Sequence, residues 1–142
     1  MIALALAGCG GKDDSAPTRP AVGAQLANLC DETRADVELL GEPRDTGAAV
    51  FRPWARLGRE FVSAVRRLHA ANATEREQLD RLADYYQGFY DNIGISYDLF
   101  EAGRSTSIKM TLERAYALLG SGEKLAVRMG APECAVRPFS DE

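Results

Sequence analysis

Helix two of the sequence carries Arg52, Arg56, Arg59, Arg66 and Arg67, spaced so that most of them fall on one side of it. Such a strip suits anionic lipid headgroups or an anionic wall polymer, each nearby Arg adding up to ~1 kcal/mol at a membrane surface. The competing reading is a solvated face, partly neutralised by Glu60 and by acids on other helices. Tyr85, Tyr86, Phe89, Tyr90, Tyr97 and Phe100 concentrate aromatic side chains in the next segment. Tyr86, Phe89, Tyr97 and Phe100 fall on one core stripe. Tyr85 and Tyr90 lie off it, where tyrosine suits a half-wet groove. His69 is the single histidine. A metal or haem site in a bundle needs partners such as Glu-x-x-His pairs, and none exist in the sequence. No Ser or Cys has a nucleophile context. The stretch from Asp91 to Asp98 departs from the EF-hand spacing. These residues predict no enzyme, no cofactor and no metal.

The third candidate chemistry lies at the N-terminus. Leu6-Ala7-Gly8-Cys9 follows the apolar run Ile2-Ala3-Leu4-Ala5, and this arrangement resembles the lipobox of bacterial lipoproteins. The resemblance implies a diacylglycerol thioether on Cys9, with acyl chains such as palmitate, and removal of the peptide before it. It further implies residence outside the cytoplasm on a bacterial membrane. No Lys or Arg precedes Cys9 and the apolar stretch is short, so Met1 reads as internal to a longer frame. No later segment has the ~18 consecutive apolar residues of a spanning helix. Attachment is therefore expected through lipid.

With Cys9 assigned to lipid, Cys30 and Cys134 remain. Two thiols in an oxidising compartment most simply pair, and the competing reading is two buried free thiols. A bridge closing a loop of about 105 residues stabilises by ~4–5 kcal/mol in the chain-entropy model. The balance of 17 basic to 21 acidic residues, a net charge of −4, argues against nucleic acid as partner.

The elements that must position these groups are helical. Residues 1–8 read as a signal-peptide remnant and 9–19 as a polar, flexible, lipid-anchored tether. Residues 20–142 form one domain, large enough for a real core. Helix one, about Pro20 to Leu40, lines up Val22, Leu26, Leu29, Thr33, Val37 and Leu40, with Cys30 at the stripe's edge. Gly41 and Pro43 stop it. Helix two repeats Phe51, Trp54, Leu57, Phe61, Val65 and Leu68 and continues to about Ala71. Pro53 belongs in its first turn, or kinks it if the helix starts near Asp45. His69 then sits at its negative end.

Helix three opens on a capping box, Thr74-Glu75-Arg76-Glu77, with a bend expected near Asn92 between Gly88 and Gly94. Ser105 or Ser107 caps helix four, which carries Ile108, Leu112, Ala115, Leu119, Ala126 and Met129 and is weakest at Gly120-Ser121-Gly122. Short loops between four amphipathic helices predict an all-α, antiparallel up-down-up-down four-helix bundle. The stretch from Gly130 to Cys134 reaches back ~13–14 Å when extended, and Cys30 lies ~15 Å into helix one. The bridge would staple this C-terminal tail along helix one.

A cysteine in the first helix and the closing Met129-Gly130-Ala131-Pro132-Glu133-Cys134 resemble a broad set of small helical lipoproteins of actinobacteria. That likeness implies a fold and an address, with no activity attached. The expectation is a binding or interaction module of the cell envelope, whose partner is an envelope protein, an anionic lipid or a wall polymer. The alternative is a surface spacer without a specific ligand. A concave apolar pocket between helices two and three would favour the first reading, and a filled core with only a polar surface the second.

Overall fold

A computed structural model describes residues 20–41 and 47–138. Cys9, the tether and the last residues fall outside them. Among the described residues the chain is all-helical, with four α-helices and no strand. These are α1 (Val22–Leu40), α2 (Phe51–Arg67), α3 (Ala73–Glu101) and α4 (Ser105–Arg128). Short 3₁₀ turns precede α2 at Gly47–Val50 and follow α4 at Pro132–Ala135.

The stripes anticipated from spacing face one core. Leu26, Val65, Leu79, Leu82 and Ile93 are the large aliphatic residues sealed within it. Cys30 lies inside this core rather than at its edge, and it is bonded to Cys134 with the Cα atoms 5.1 Å apart. The tail therefore packs on both α1 and α4. Cross-helix contacts fix the neighbours of each element. Gln25 exchanges two hydrogen bonds with the His69 backbone, at 3.1 and 3.2 Å, joining the start of α1 to the α2–α3 connection. Arg66 meets Asp84 at 2.9 Å, and Arg52 meets Glu101 at 3.5 Å, between α2 and α3. Gly88 abuts Leu118, and Gly122 abuts Tyr85 and Tyr86, between α3 and α4. The end of α4 closes onto the start of α1, where a Cβ on Gly23 would stand 2.5 Å from the Met129 carbonyl oxygen.

Pro53 lies in the first turn of α2, as its missing N–H allows. Several local expectations are corrected. Helix two stops at Arg67 and Leu68 turns extended, so His69 lies beyond the helix and on the surface. The carbonyls at that end are met instead by Arg76, whose guanidinium donates to Arg66 O at 2.9 Å and Leu68 O at 2.5 Å. A guanidinium supplies both the charge and the donors that a helix C-terminus lacks.

The N-cap of α3 is Asn72, not Thr74. Its Oδ1 accepts from the Glu75 amide at 2.9 Å, while Glu75 Oε2 accepts from the Ala71 amide at 2.7 Å. Asn72-Ala73-Thr74-Glu75 has the same box spacing, and asparagine outranks threonine as a cap. Neither Ser105 nor Ser107 caps α4, whose N-cap position is Arg104 without a side-chain bond. Neither glycine cluster breaks its helix. α3 runs 29 residues and α4 runs 24 without interruption. Gly88 and Gly122 lie against side chains of the facing helix, so close packing outweighs their ~1 kcal/mol propensity penalties. Phe100, placed on the core stripe by spacing, is 57 % exposed in the last turn of α3.

Candidate functional site

A pocket open to solvent on one side cuts into the helical packing. A cavity of about 330 Å³ lies beside the disulfide, at the small end of the volumes ligand sites span. All four helices and the C-terminal segment contribute to its wall. The α1 side gives Cys30, Thr33, Arg34 and Val37. α2 gives Trp54 and Phe61, and α3 gives Tyr86, Phe89 and Tyr90. α4 adds Tyr116, Leu119 and Glu123, and the tail adds Glu133, Cys134, Val136 and Arg137. Six aromatic rings thus surround the space.

The local sequence explains why these rings converge. Trp54 and Phe61 are seven residues apart on the apolar face of α2, two helical turns along one stripe. Tyr86, Phe89 and Tyr90 share one face of α3 at steps of three and four. Phe61 and Tyr86 meet edge-to-face with centroids 4.8 Å apart, and Phe89 meets Tyr90 at the same distance. Tyr90 lies across Gly58, where any Cβ would overlap its ring. A glycine at that point of α2 lets a tyrosine off the regular stripe become buried.

The polar groups of the wall are mostly paired with one another. Arg137 grips Glu123 in a two-pronged contact at 3.0 and 3.1 Å and lies over the Tyr116 ring at 5.9 Å. Arg34 is held by Asp31 at 2.6 Å and touches the Glu133 backbone carbonyl at 3.4 Å. The Glu133 side chain is different. Its Oε2 is buried and accepts no hydrogen bond among the described residues. Burial pushes the Tyr90 hydroxyl up to about 12. Burial, with Tyr90 and Glu123 nearby, raises that of Tyr86 further still. Both phenols are therefore neutral hydrogen-bonding groups, far from the phenolate form a base would need.

The residues singled out from sequence are distributed differently. Cys30 and Cys134 form part of the cavity wall. Cys9 lies outside the described residues. The arginine strip of α2 does not act as one unit. Arg52 stacks on Tyr97 at 4.6 Å and pairs with Asp98 and Glu101, and Arg66 pairs with Asp84. Arg56 and Arg59 are exposed, carry no ion pair among the described residues and border a shallow hollow with Glu60, Ser63 and Arg67. Of the two tyrosines placed off the stripe, Tyr90 lines the cavity, whereas Tyr85 packs at Gly122.

Glu123, Glu133 and Arg137 were not anticipated. Only the position of Glu133 next to Cys134 offered a signal, since the bridge must bring that segment onto α1. Among the described residues no group of three His, Cys, Asp or Glu side chains is placed to hold a metal ion. No helix among them is long and apolar enough to cross a membrane. The chain matches no family model, no curated protein and no solved structure.

Proposed function

We propose that this protein is a lipid-anchored, extracytoplasmic binding module of a bacterial cell envelope that holds a small, largely apolar ligand in the aromatic cavity. The observation that carries this reading is the cavity itself: about 330 Å³ ringed by Trp54, Phe61, Tyr86, Phe89, Tyr90 and Tyr116. A spacer gains nothing from aromatic faces left unpacked in a half-open pocket, because they forfeit packing contacts. An enzyme is the weaker reading. Glu123 is tied up by Arg137, and the two phenols are held protonated.

The helices are taken to follow antiparallel up-down-up-down order, with the tail stapled along α1. Support comes from the pairing of the start of each helix with the end of its neighbour, as in Arg52–Glu101 and Gly23–Met129. The anchor rests on the Leu6-Ala7-Gly8-Cys9 resemblance, and a Cys30–Cys134 disulfide fits an oxidising compartment. Contact with an anionic surface is proposed for Arg52, Arg56, Arg59 and Arg66, of which Arg56 and Arg59 are exposed and carry no ion pair among the described residues.

Trp54 is the one tryptophan of the chain and stands in the cavity wall, so its emission reports directly on occupancy. Titration with 2-phenylethanol should give a saturable change in Trp54 fluorescence. A linear, unsaturable response would remove the binding reading. For the anchor, Cys9→Ser should release the protein from bacterial membranes into the soluble envelope fraction. Unchanged fractionation of that variant refutes lipid attachment.

A further inference from the structure

The polar groups of the pocket wall are of two kinds. The charged ones are engaged. Arg137 meets both Glu123 oxygens, at 3.0 and 3.1 Å, and Arg34 meets Asp31 at 2.6 Å. The Glu133 oxygen without a donor has essentially no accessible surface, so a guest does not reach it. Two arginines and two glutamates line the space, which leaves the lining without net charge. The hydroxyls are the second kind. Those of Tyr86 and Tyr90 make no hydrogen bond among the described residues, and unlike the Glu133 oxygen they are not sealed from solvent. Both side chains line the pocket, one helical turn apart on α3. Thr33 of α1 adds a third hydroxyl with no partner among the described residues. A guest that enters displaces the water these hydroxyls bond, and a guest with no polar atom to replace it forfeits those bonds.

From this combination we propose that the pocket selects an uncharged ligand: an apolar body against the aromatic rings, and an oxygen acceptor, hydroxyl or carbonyl, on the Tyr86 and Tyr90 hydroxyls. The inference rests on the binding reading above and adds the ligand's chemical class. The two phenols stay protonated through the neutral range, so each keeps an O–H to donate. A cation entering the pocket finds no free carboxylate, and an anion finds no free guanidinium. Either loses water without a charged partner in return, a larger penalty than a neutral group incurs.

The test uses the full, oxidised chain near neutral pH and four probes of similar size: 2-phenylethanol, propylbenzene, phenethylammonium and phenylacetate. Trp54 fluorescence and calorimetry report each affinity. The alcohol should bind tighter than either charged probe by about tenfold or more. Replacing both phenols, Tyr86→Phe with Tyr90→Phe, should weaken the alcohol by about fivefold or more, the scale of one neutral hydrogen bond. Propylbenzene has no polar atom, so the same pair of substitutions should leave it within about twofold or tighten it. If 2-phenylethanol binds and either charged probe equals or exceeds it, the assignment to an uncharged ligand fails while the binding reading stands. An alcohol affinity unchanged by the two substitutions has the same consequence. If none of the four binds, both fail. The comparison among probes needs no substitution, so a doubly substituted chain that does not fold leaves the question decidable.

Discussion

Tyr90 and Gly58 form a pair in which the absence of a side chain on one makes room for the ring of the other. Gly58→Ala forces either the ring or α2 to move and is expected to destabilise by about 1–3 kcal/mol, the usual range for overpacking. Urea denaturation with circular dichroism checks the figure, and a loss below about 0.5 kcal/mol would show that the ring has room to shift. The same ring carries a pH signature. Its hydroxyl is raised by burial from the ordinary 10.0 to about 12. Between those values the folded chain retains a proton that the unfolded chain has lost, so stability falls as pH rises. It is fully present below about pH 10 and lost through about pH 12. Tyr86, raised in the same direction, extends the loss further upward. Tyr90→Phe should flatten the part of the alkaline decline that Tyr90 supplies, as measured by denaturation midpoints across that range.

Helix ends carry a different lesson. Asn72 caps α3 through its Oδ1, and Glu75 reaches back to Ala71. Asn72→Ala should cost about 1 kcal/mol, and Thr74→Ala close to nothing, since Thr74 sits exposed within the first turn. Equal losses in the two variants, by thermal denaturation, would restore the threonine-based box. Spacing along the chain made the four helices and their apolar stripes legible, because a period near 3.6 is a backbone property. Cap choice and continuity were less so. Two overlapping boxes, on Asn72 and on Thr74, stand two residues apart, and the helix begins at the first of them. Where α3 passes Gly88 it packs against Leu118, a residue thirty positions away that no local window contains. Arg76 at the end of α2 is likewise a contact between elements, invisible within either.

At the scale of the molecule, the cavity was the least legible feature. Trp54, Phe61, Tyr86 and Phe89 have the spacing of core residues, and a filled core and a lined cavity share that spacing. What separates them is the sum of side-chain volumes across four helices and a tail. The pairing of Cys30 with Cys134 was legible from the count of thiols, and it has a large reach. It joins residues 104 positions apart and holds the tail against α1. Cys30→Ser together with Cys134→Ser should destabilise by about 2–5 kcal/mol and weaken 2-phenylethanol binding through the loosened wall. Guanidinium denaturation and Trp54 fluorescence measure the two effects, and unaltered stability would mean that packing alone holds the segment.

The position of that wall in the chain dictates when a site can exist. Residues 131–138 follow all four helices, yet Glu133, Cys134, Val136 and Arg137 complete the enclosure. A chain still being synthesised therefore reaches the end of its fourth helix before the last side of the pocket wall exists. The wall is complete only once the final stretch has emerged, and the bridge between the two sulfurs then ties it to the first helix.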